Sequence, residues 1–267
     1  MTPLLSVQDL SKSFSGQPVV RSVSFEVSQS STMGIVGESG SGKTTLVRSI
    51  LRAIDPDSGS VRYLSRDGWK DLHALPGKAL LPLRREIQII FQDPFASLNP
   101  RMTVQEILEE PIVIHGMGNA ASRRQRVADM LQRVHLSPDA ASRFPHAFSG
   151  GQRQRVGIAR ALILEPRLVV CDESVSALDV SVQAQILELL TALQNELGLT
   201  YLFVSHDLRV VEQFCDEVLI MYAGQVVEQG PVTQVFNEPQ HPCPLPAFHV
   251  LSVSYLAPRS VCDATTL

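Results

Sequence analysis

Gly37, Glu38, Ser39, Gly40, Ser41, Gly42, Lys43, Thr44 and Thr45 run consecutively and satisfy the pattern G-x-x-x-x-G-K-[ST]. Each position has a physical task. The glycines let backbone N–H groups turn inward around phosphates, the lysine reaches the terminal phosphates, and the first threonine hydroxyl can bind Mg²⁺. The pattern needs a strand before it and a helix after it, and both are present in the sequence. An apolar "MGIVG" leads in, and "TTLVRSILRAI" follows with Leu46, Ile50, Leu51 and Ile54 on one helical face. A chance lysine after a glycine turn would not come with both flanks in register.

Phosphate chemistry on such a loop also needs a carboxylate at the end of a neighbouring strand, and "LVVCDE" supplies two. Asp172 is placed to hold Mg²⁺ through water. Glu173, one residue later, is placed to polarise an attacking water. Two adjacent acids can also cap a helix, but hydrolysis needs both roles and one strand delivers both groups to the same sheet edge. His206 ends "LFVS"; an isolated histidine is usually structural, but beside a phosphate site a neutral imidazole can contact a γ-phosphate. Gln92 closes "IQIIFQ", where its amide carbonyl can ligate Mg²⁺ or orient water. A second glycine-rich helix start, Phe148-Ser149-Gly150-Gly151-Gln152, offers a capping hydroxyl and close backbone approach to an anion. Ser-Gly-Gly is equally good turn chemistry.

The elements that position these groups alternate. Val23, Phe25 and Val27 mark an early strand, and "SVRYL", "IQIIFQD", "RLVVCDE", "TYLFVSHD" and "EVLIMYAGQVVEQG" read as later ones, the last a hairpin turning near Ala223-Gly224. From Asn99 to about Leu162 the period becomes helical, punctuated by Pro100, Pro138 and Pro145. "VQAQILELLTALQNELG" is an amphipathic helix stopped at Gly198. Strands alternating with helices imply an α/β domain with a largely parallel central sheet and a helical insert at about 99–162.

At 267 residues with 44% hydrophobic content, the chain can bury a sizeable core as one domain with a lobe. Its net charge of -4 provides no basic field for a phosphate backbone, so nucleic acid is not expected as a partner. The arginine pairs at 84–85 and 123–124 read as solvated helix faces. The first residues do not resemble a secretory signal, and no stretch approaches the roughly 20 apolar residues of a membrane-spanning helix, so membrane association is expected through a partner. Cys171, Cys215, Cys243 and Cys262 contain no C-x-x-C and read as core or surface thiols.

In this order and spacing, the loop at 37–45, Gln92, "FSGGQ" at 148–152, "CDE" at 171–173, "SALD" at 176–179 and His206 resemble the nucleotide-binding subunits of ABC transporters over about residues 4 to 242. "FQDPFASLNPRMTV" and "SALDVSVQAQILELL" resemble the subfamily serving dipeptide, oligopeptide and nickel importers. The resemblance implies that Phe14, in "LSKSF", stacks on adenine, that Gln92 links the nucleotide site to the helical insert and membrane partner, that His206 is a switch histidine, and that Asp179 belongs to the D-loop. It implies further that residues 148–152 close over the ATP of a second ATP-binding subunit, identical or related, in a head-to-tail dimer. Mg²⁺ with ATP is the implied cofactor, and the implied fold is the α/β fold of a P-loop NTPase with a mainly parallel central sheet, an antiparallel β subdomain and a helical subdomain insert. The implied partners are transmembrane permease subunits and, indirectly, a periplasmic or extracellular solute-binding protein, with the chain peripheral at the cytoplasmic face of the membrane.

Three departures stand out. Ser174 replaces the subfamily's usual proline after the glutamate, and "SQSST" replaces a Gly-Glu turn before the loop strand. At the end, Pro242, Pro244 and Pro246 occupy the start of an expected helix, so residues 243–267 read as an irregular, divergent tail beyond an ATPase domain at 1–242. Cys243 and Cys262 cannot by themselves supply four thiolates for an iron–sulphur cluster. Two other functions fit part of this pattern. A non-transport ABC-type ATPase, such as an accessory protein of phosphonate breakdown, shares the nucleotide motifs, whereas chromosome-maintenance relatives would need a heptad run that is absent here. A module that holds ATP without hydrolysing it conflicts with Lys43, Asp172, Glu173 and His206 together.

Overall fold

Apolar runs with few polar interruptions form strands that are buried on both faces, which is the requirement of a parallel sheet covered by helices. A computed structural model describes residues 2–93, 97–176 and 178–240. In chain order the elements are β1 (Pro3–Phe14), β2 (Gln17–Ser28), β3 (Thr32–Gly37), α1 (Lys43–Ile50), β4 (Ser58–Ser65), β5 (Gly68–Asp71), α2 (Leu80–Glu86), β6 (Ile87–Ile90), α3 (Val104–Ile114), α4 (Ala120–Arg133), α5 (Gly150–Leu162), β7 (Leu168–Asp172), α6 (Val180–Leu197), β8 (Thr200–Ser205), α7 (Leu208–Phe214), β9 (Glu217–Tyr222), β10 (Gln225–Pro231) and α8 (Val232–Asn237). The central sheet has the order β6-β7-β8-β3-β9-β10, parallel throughout except for the antiparallel edge pair β9–β10. A second sheet, β2-β1-β4-β5, is wholly antiparallel.

The two-residue period of the strands splits the core into two layers. In β7, Leu168 and Val170 pack on one face and Val169 and Cys171 on the other; in β8, Leu202 and Val204 oppose Tyr201 and Phe203. The face with Leu168, Leu202 and Leu219 joins the antiparallel sheet and α1 through Leu5, Val7, Leu46 and Ile50. The opposite face shares a continuous core with α3, α4, α5 and α6 through Leu108, Leu131, Leu162 and Leu190. Helical residues between β6 and β7 are therefore packed against the sheet that carries the phosphate loop.

Local signals explain the element ends. Thr103 and Glu106 form a reciprocal capping box at the start of α3. Gly198 ends α6 in the left-handed conformation, at φ 65. Ala223 and Gly224, at φ 47 and 84, make the two-residue turn between β9 and β10. Five elements had no reading in sequence: β1, β5, α2, α7 and α8. Helix α2 has seven residues including Pro82, too few for a helical period to emerge, and it is held by the buried Leu80 and Leu83. The arginine pair 84–85 lies on it. Strand β6 ends at Ile90, so Gln92 lies two residues past it. The tail at 243–267, with Cys243, Cys262, Pro244 and Pro246, lies outside the described residues, as does Pro242.

Candidate functional site

Strand β3 delivers Gly37 to the carboxyl edge of the sheet, and six residues later Lys43 opens α1. Between them the backbone is forced close to other backbone. A Cβ on Gly37 would lie 2.4 Å from the Met221 carbonyl oxygen, and one on Gly42 would lie 2.5 Å from that of Val19, with Gly42 already at φ 101. The turn of the β9–β10 hairpin braces the loop, since the Gly224 N–H donates to the Ser41 carbonyl at 3.1 Å and the Arg21 N–H to the Gly224 carbonyl at 2.8 Å. Glu38, Ser39 and Gly40 are exposed at the tip, Thr44 is exposed on α1 and Thr45 is half-buried.

This loop fits a triphosphate. The first-turn N–H groups of a helix have no intrahelical acceptor, and no side chain caps α1 at Gly42. The Ser41 hydroxyl is buried with no partner among the described residues. Lys43 is buried, and its Nζ donates to the carbonyls of Gly37 at 2.7 Å and Glu38 at 2.9 Å, curling back into the loop. Burial lowers its pKa, and Glu173 and Asp172 pull it back up. A cleft of about 170 Å³ opens here, lined by Val19, Ser39, Gly40, Gly42, Lys43, Thr44, Thr45 and Glu173.

Two strands away, β7 ends in Asp172, which registers with Val204 of β8. Burial raises the Asp172 pKa, the neighbouring Glu173 raises it further, and Arg48 and Lys43 draw it down. Glu173 sits at φ 45, in the left-handed region that side chains seldom occupy. Its N–H donates to the Val204 carbonyl at 3.0 Å, and its own carbonyl accepts from the Ser176 N–H at 3.1 Å and the Ser176 hydroxyl at 2.9 Å. Ser174 is buried in the same turn. The Glu173 Oε2 accepts from Gln92 Nε2 at 2.9 Å and lies 3.4 Å from His206 Nδ1. One carboxylate oxygen thus gathers side chains that follow β6, β7 and β8.

Phe14 ends β1 at 47% exposure, with Lys12 Nζ 5.5 Å from its ring centroid, and the returning strand brings Val19 to the cleft. The second glycine-rich start behaves differently. Ser149 caps α5 by accepting from the Gln152 N–H at 3.3 Å, and Gln152 Oε1 accepts from the Ser149 N–H at 3.1 Å. Phe148 is buried beneath Arg143, whose guanidinium lies 4.3 Å from the ring centroid. A Cβ on Gly151 would lie 2.6 Å from Val182 of α6, whereas Gly150 has room, with Leu178 at 3.9 Å. Asp179 caps α6, accepting from the Val182 N–H at 3.0 Å and the Ser181 hydroxyl at 2.7 Å, contacts that hold its carboxyl below the usual range. Among the described residues, none of 148–152 and not Asp179 lines the phosphate-loop cleft. Val19 and Ser176 gave no chemical signal in sequence, and Ser176 carried only its place in "SALD".

The ABC transporter family model matches residues 20–176. The chain belongs to the ABC transporter family. A putative peptide import ATP-binding protein of Brucella ovis is 50% identical over 245 residues, 90% of this chain and 76% of that protein. The glutathione import ATP-binding protein GsiA of Pectobacterium atrosepticum is 51% identical over 223 residues, 84% of this chain and 35% of that longer protein. Among solved structures, cbiO1 from Clostridium perfringens, part of an ABC transporter complex, matches with a TM-score of 0.79 at 29% identity over 89% of this chain and 92% of its own. A dimeric ATP-binding cassette in a post-hydrolysis state with ADP and Pi matches at 0.75 and 28% identity over 86% of this chain and 99% of its own. The chain is an ABC-type ATPase with the P-loop NTPase fold expected from its motifs.

Proposed function

We propose that the chain is the ATP-hydrolysing subunit of a peptide importer, working as a dimer of ATP-binding subunits against membrane permeases. The observation that carries the catalytic assignment is the convergence of Gln92 and His206 on Glu173 Oε2, at 2.9 and 3.4 Å, at the rim of the loop that holds Lys43. Phe14 stacks the adenine, residues 37–45 cradle the phosphates, and Lys43 exchanges its loop carbonyls for the terminal phosphates. Thr44, Gln92 and Asp172 would hold Mg²⁺, which would supply positive charge beside the triphosphate. Glu173 accepts the proton of the attacking water, and its two neighbours fix the direction in which the carboxylate points. His206 senses the γ-phosphate, and Gln92 communicates occupancy to the helical insert at 99–162.

Ser149, Gly150, Gly151 and Gln152 serve the ATP of the second subunit, with Phe148 buried as their anchor and Asp179 fixing the adjoining turn. That none of them lines this chain's own cleft supports that reading. A larger, mostly apolar cleft of about 380 Å³ beside Asp172, lined by Leu51, Leu80, Leu83, Ile89 and Phe91, suits docking of a permease helix next to Gln92. None of the described helices is long and apolar enough to cross a membrane, so the permease would hold the chain at the cytoplasmic face. Peptide as the solute follows from relatives named for peptide and glutathione import, and an external binding protein would select it. The test is reconstitution of the chain with its co-purifying permease and binding protein in vesicles. ATP-dependent uptake of labelled di- and oligopeptides is expected; ATP turnover with no peptide uptake would overturn the solute assignment.

A further inference from the structure

We infer that Asp57 is a positioning residue for the nucleobase, pinning the end of β1 so that Phe14 presents a fixed ring beside the phosphate cradle. This rests on the reading of Phe14 as the adenine-stacking residue.

Phe14 is paired on one side only, with Gln17 of β2. It is half-exposed and precedes a two-residue turn, Ser15-Gly16, with φ of 50 and 79. The β1–β2 ladder shifts register on both sides of Lys12, and Ser13 faces Pro18, which has no N–H to donate. The β1–β4 ladder stops at the pair Ser11–Ser58. On the β4 side backbone pairing therefore stops at Ser11, three residues before the aromatic ring, while on the β2 side the hairpin continues to the pair Phe14–Gln17.

Asp57, immediately ahead of β4, continues the ladder with its side chain. Its N–H donates to the Ser11 carbonyl at 2.8 Å, its Oδ2 accepts from the Ser13 N–H at 2.6 Å, and its Oδ1 accepts from Lys12 Nζ at 2.9 Å. Lys12 and Phe14 are two apart and share a face of the strand, and the pinned ammonium lies 5.5 Å from the ring centroid. A cation on one face of a ring leaves the other face for a base. These contacts hold the Asp57 carboxyl below its ordinary range, the Lys12 hydrogen bond most of all. The returning strand carries Val19 into the phosphate cleft, so the order of this hairpin end reaches the nucleotide along one short stretch of chain. Only the tertiary structure brings Asp57 to Lys12 and Ser13, which lie 45 and 44 positions earlier in the chain.

The experiment is titration calorimetry on the full chain with Mg-ATP and with Mg-tripolyphosphate, which has the phosphates but lacks the base. Asp57→Ala and Lys12→Met are each expected to weaken Mg-ATP by roughly three- to ten-fold, the range of an aromatic stacking contact. Mg-tripolyphosphate should change by less than about two-fold. Phe14→Ala should weaken Mg-ATP at least as much, and adding Asp57→Ala to it should cost nothing more. Equal weakening of both ligands by Asp57→Ala would make Asp57 a general prop of the cradle and overturn the inference. Weakening by Phe14→Ala with none from Asp57→Ala or Lys12→Met would overturn the clamp while leaving the stacking role in place. No effect of Phe14→Ala would overturn the stacking role itself and the inference with it. Lys12→Met keeps the measurement decisive if Asp57→Ala does not fold.

Discussion

Replacing Glu173 by glutamine changes the basicity and charge of the central group and almost nothing else. The side chains are isosteric, and the amide oxygen of glutamine can still accept from Gln92 Nε2, the 2.9 Å contact that now ends on the carboxylate. What disappears is the proton acceptor. Positioned general bases contribute about 10²–10⁴ in rate, or roughly 3–5 kcal/mol of barrier. Phosphate release at saturating Mg-ATP should fall by about that factor. Nucleotide affinity should not weaken, because one of the two carboxylates acting on Lys43 is lost and repulsion toward a triphosphate falls with it. A protein that binds ATP but cannot hydrolyse it should accumulate as a closed dimer, visible as a doubled mass in light scattering with ATP and reversed by ADP. Turnover within about three-fold of the parent would refute Glu173 as the base. Loss of ATP binding in parallel with turnover would refute the assumption that the substitution spares the loop.

Ser149→Arg should leave ATP binding to the monomer intact while abolishing dimer closure and hydrolysis; breaking the capping box should also cost about 1 kcal/mol in chemical denaturation. Full hydrolysis by this variant would rule out action on a second subunit. Gly42→Ala places a Cβ 2.5 Å from the Val19 carbonyl at φ 101, so about 1–3 kcal/mol of strain and at least ten-fold weaker ATP binding are expected by calorimetry. Leu162→Ala, fully buried in the layer shared by α5 and the central sheet, should lose about 2–5 kcal/mol in urea unfolding and melt both regions in one transition. Two separate transitions would contradict a shared core.

Most of the candidate site was legible in the sequence because it lies in contiguous strings. The loop at 37–45 needs glycine where backbone meets backbone, and the contacts at Gly37 and Gly42 give the reason for that spelling. Asp172 and Glu173 announce themselves as acids after an apolar strand, and Ser149 with Gln152 as a helix start. Groups that act through distant partners were not legible. Asp57 is an ordinary turn aspartate until it meets Lys12 and Ser13, and Ser176 is an ordinary loop serine until its hydroxyl reaches the Glu173 carbonyl. Nor does the local sequence explain the left-handed backbone at Glu173, since no glycine marks it.

By itself the sequence determined which residues could handle a phosphate and most of the segments that would be strands or helices, because period, caps and glycines act over a few neighbouring residues. Strand order was decided only by the tertiary structure. Chain order alone does not say that β6, β7, β8 and β3 are neighbours, yet that order lines up Gln92, Glu173, His206 and Lys43 along one sheet edge. It is fixed by burial on both faces, since each strand must cover the apolar sides of its neighbours while the antiparallel sheet closes one layer and the helices the other.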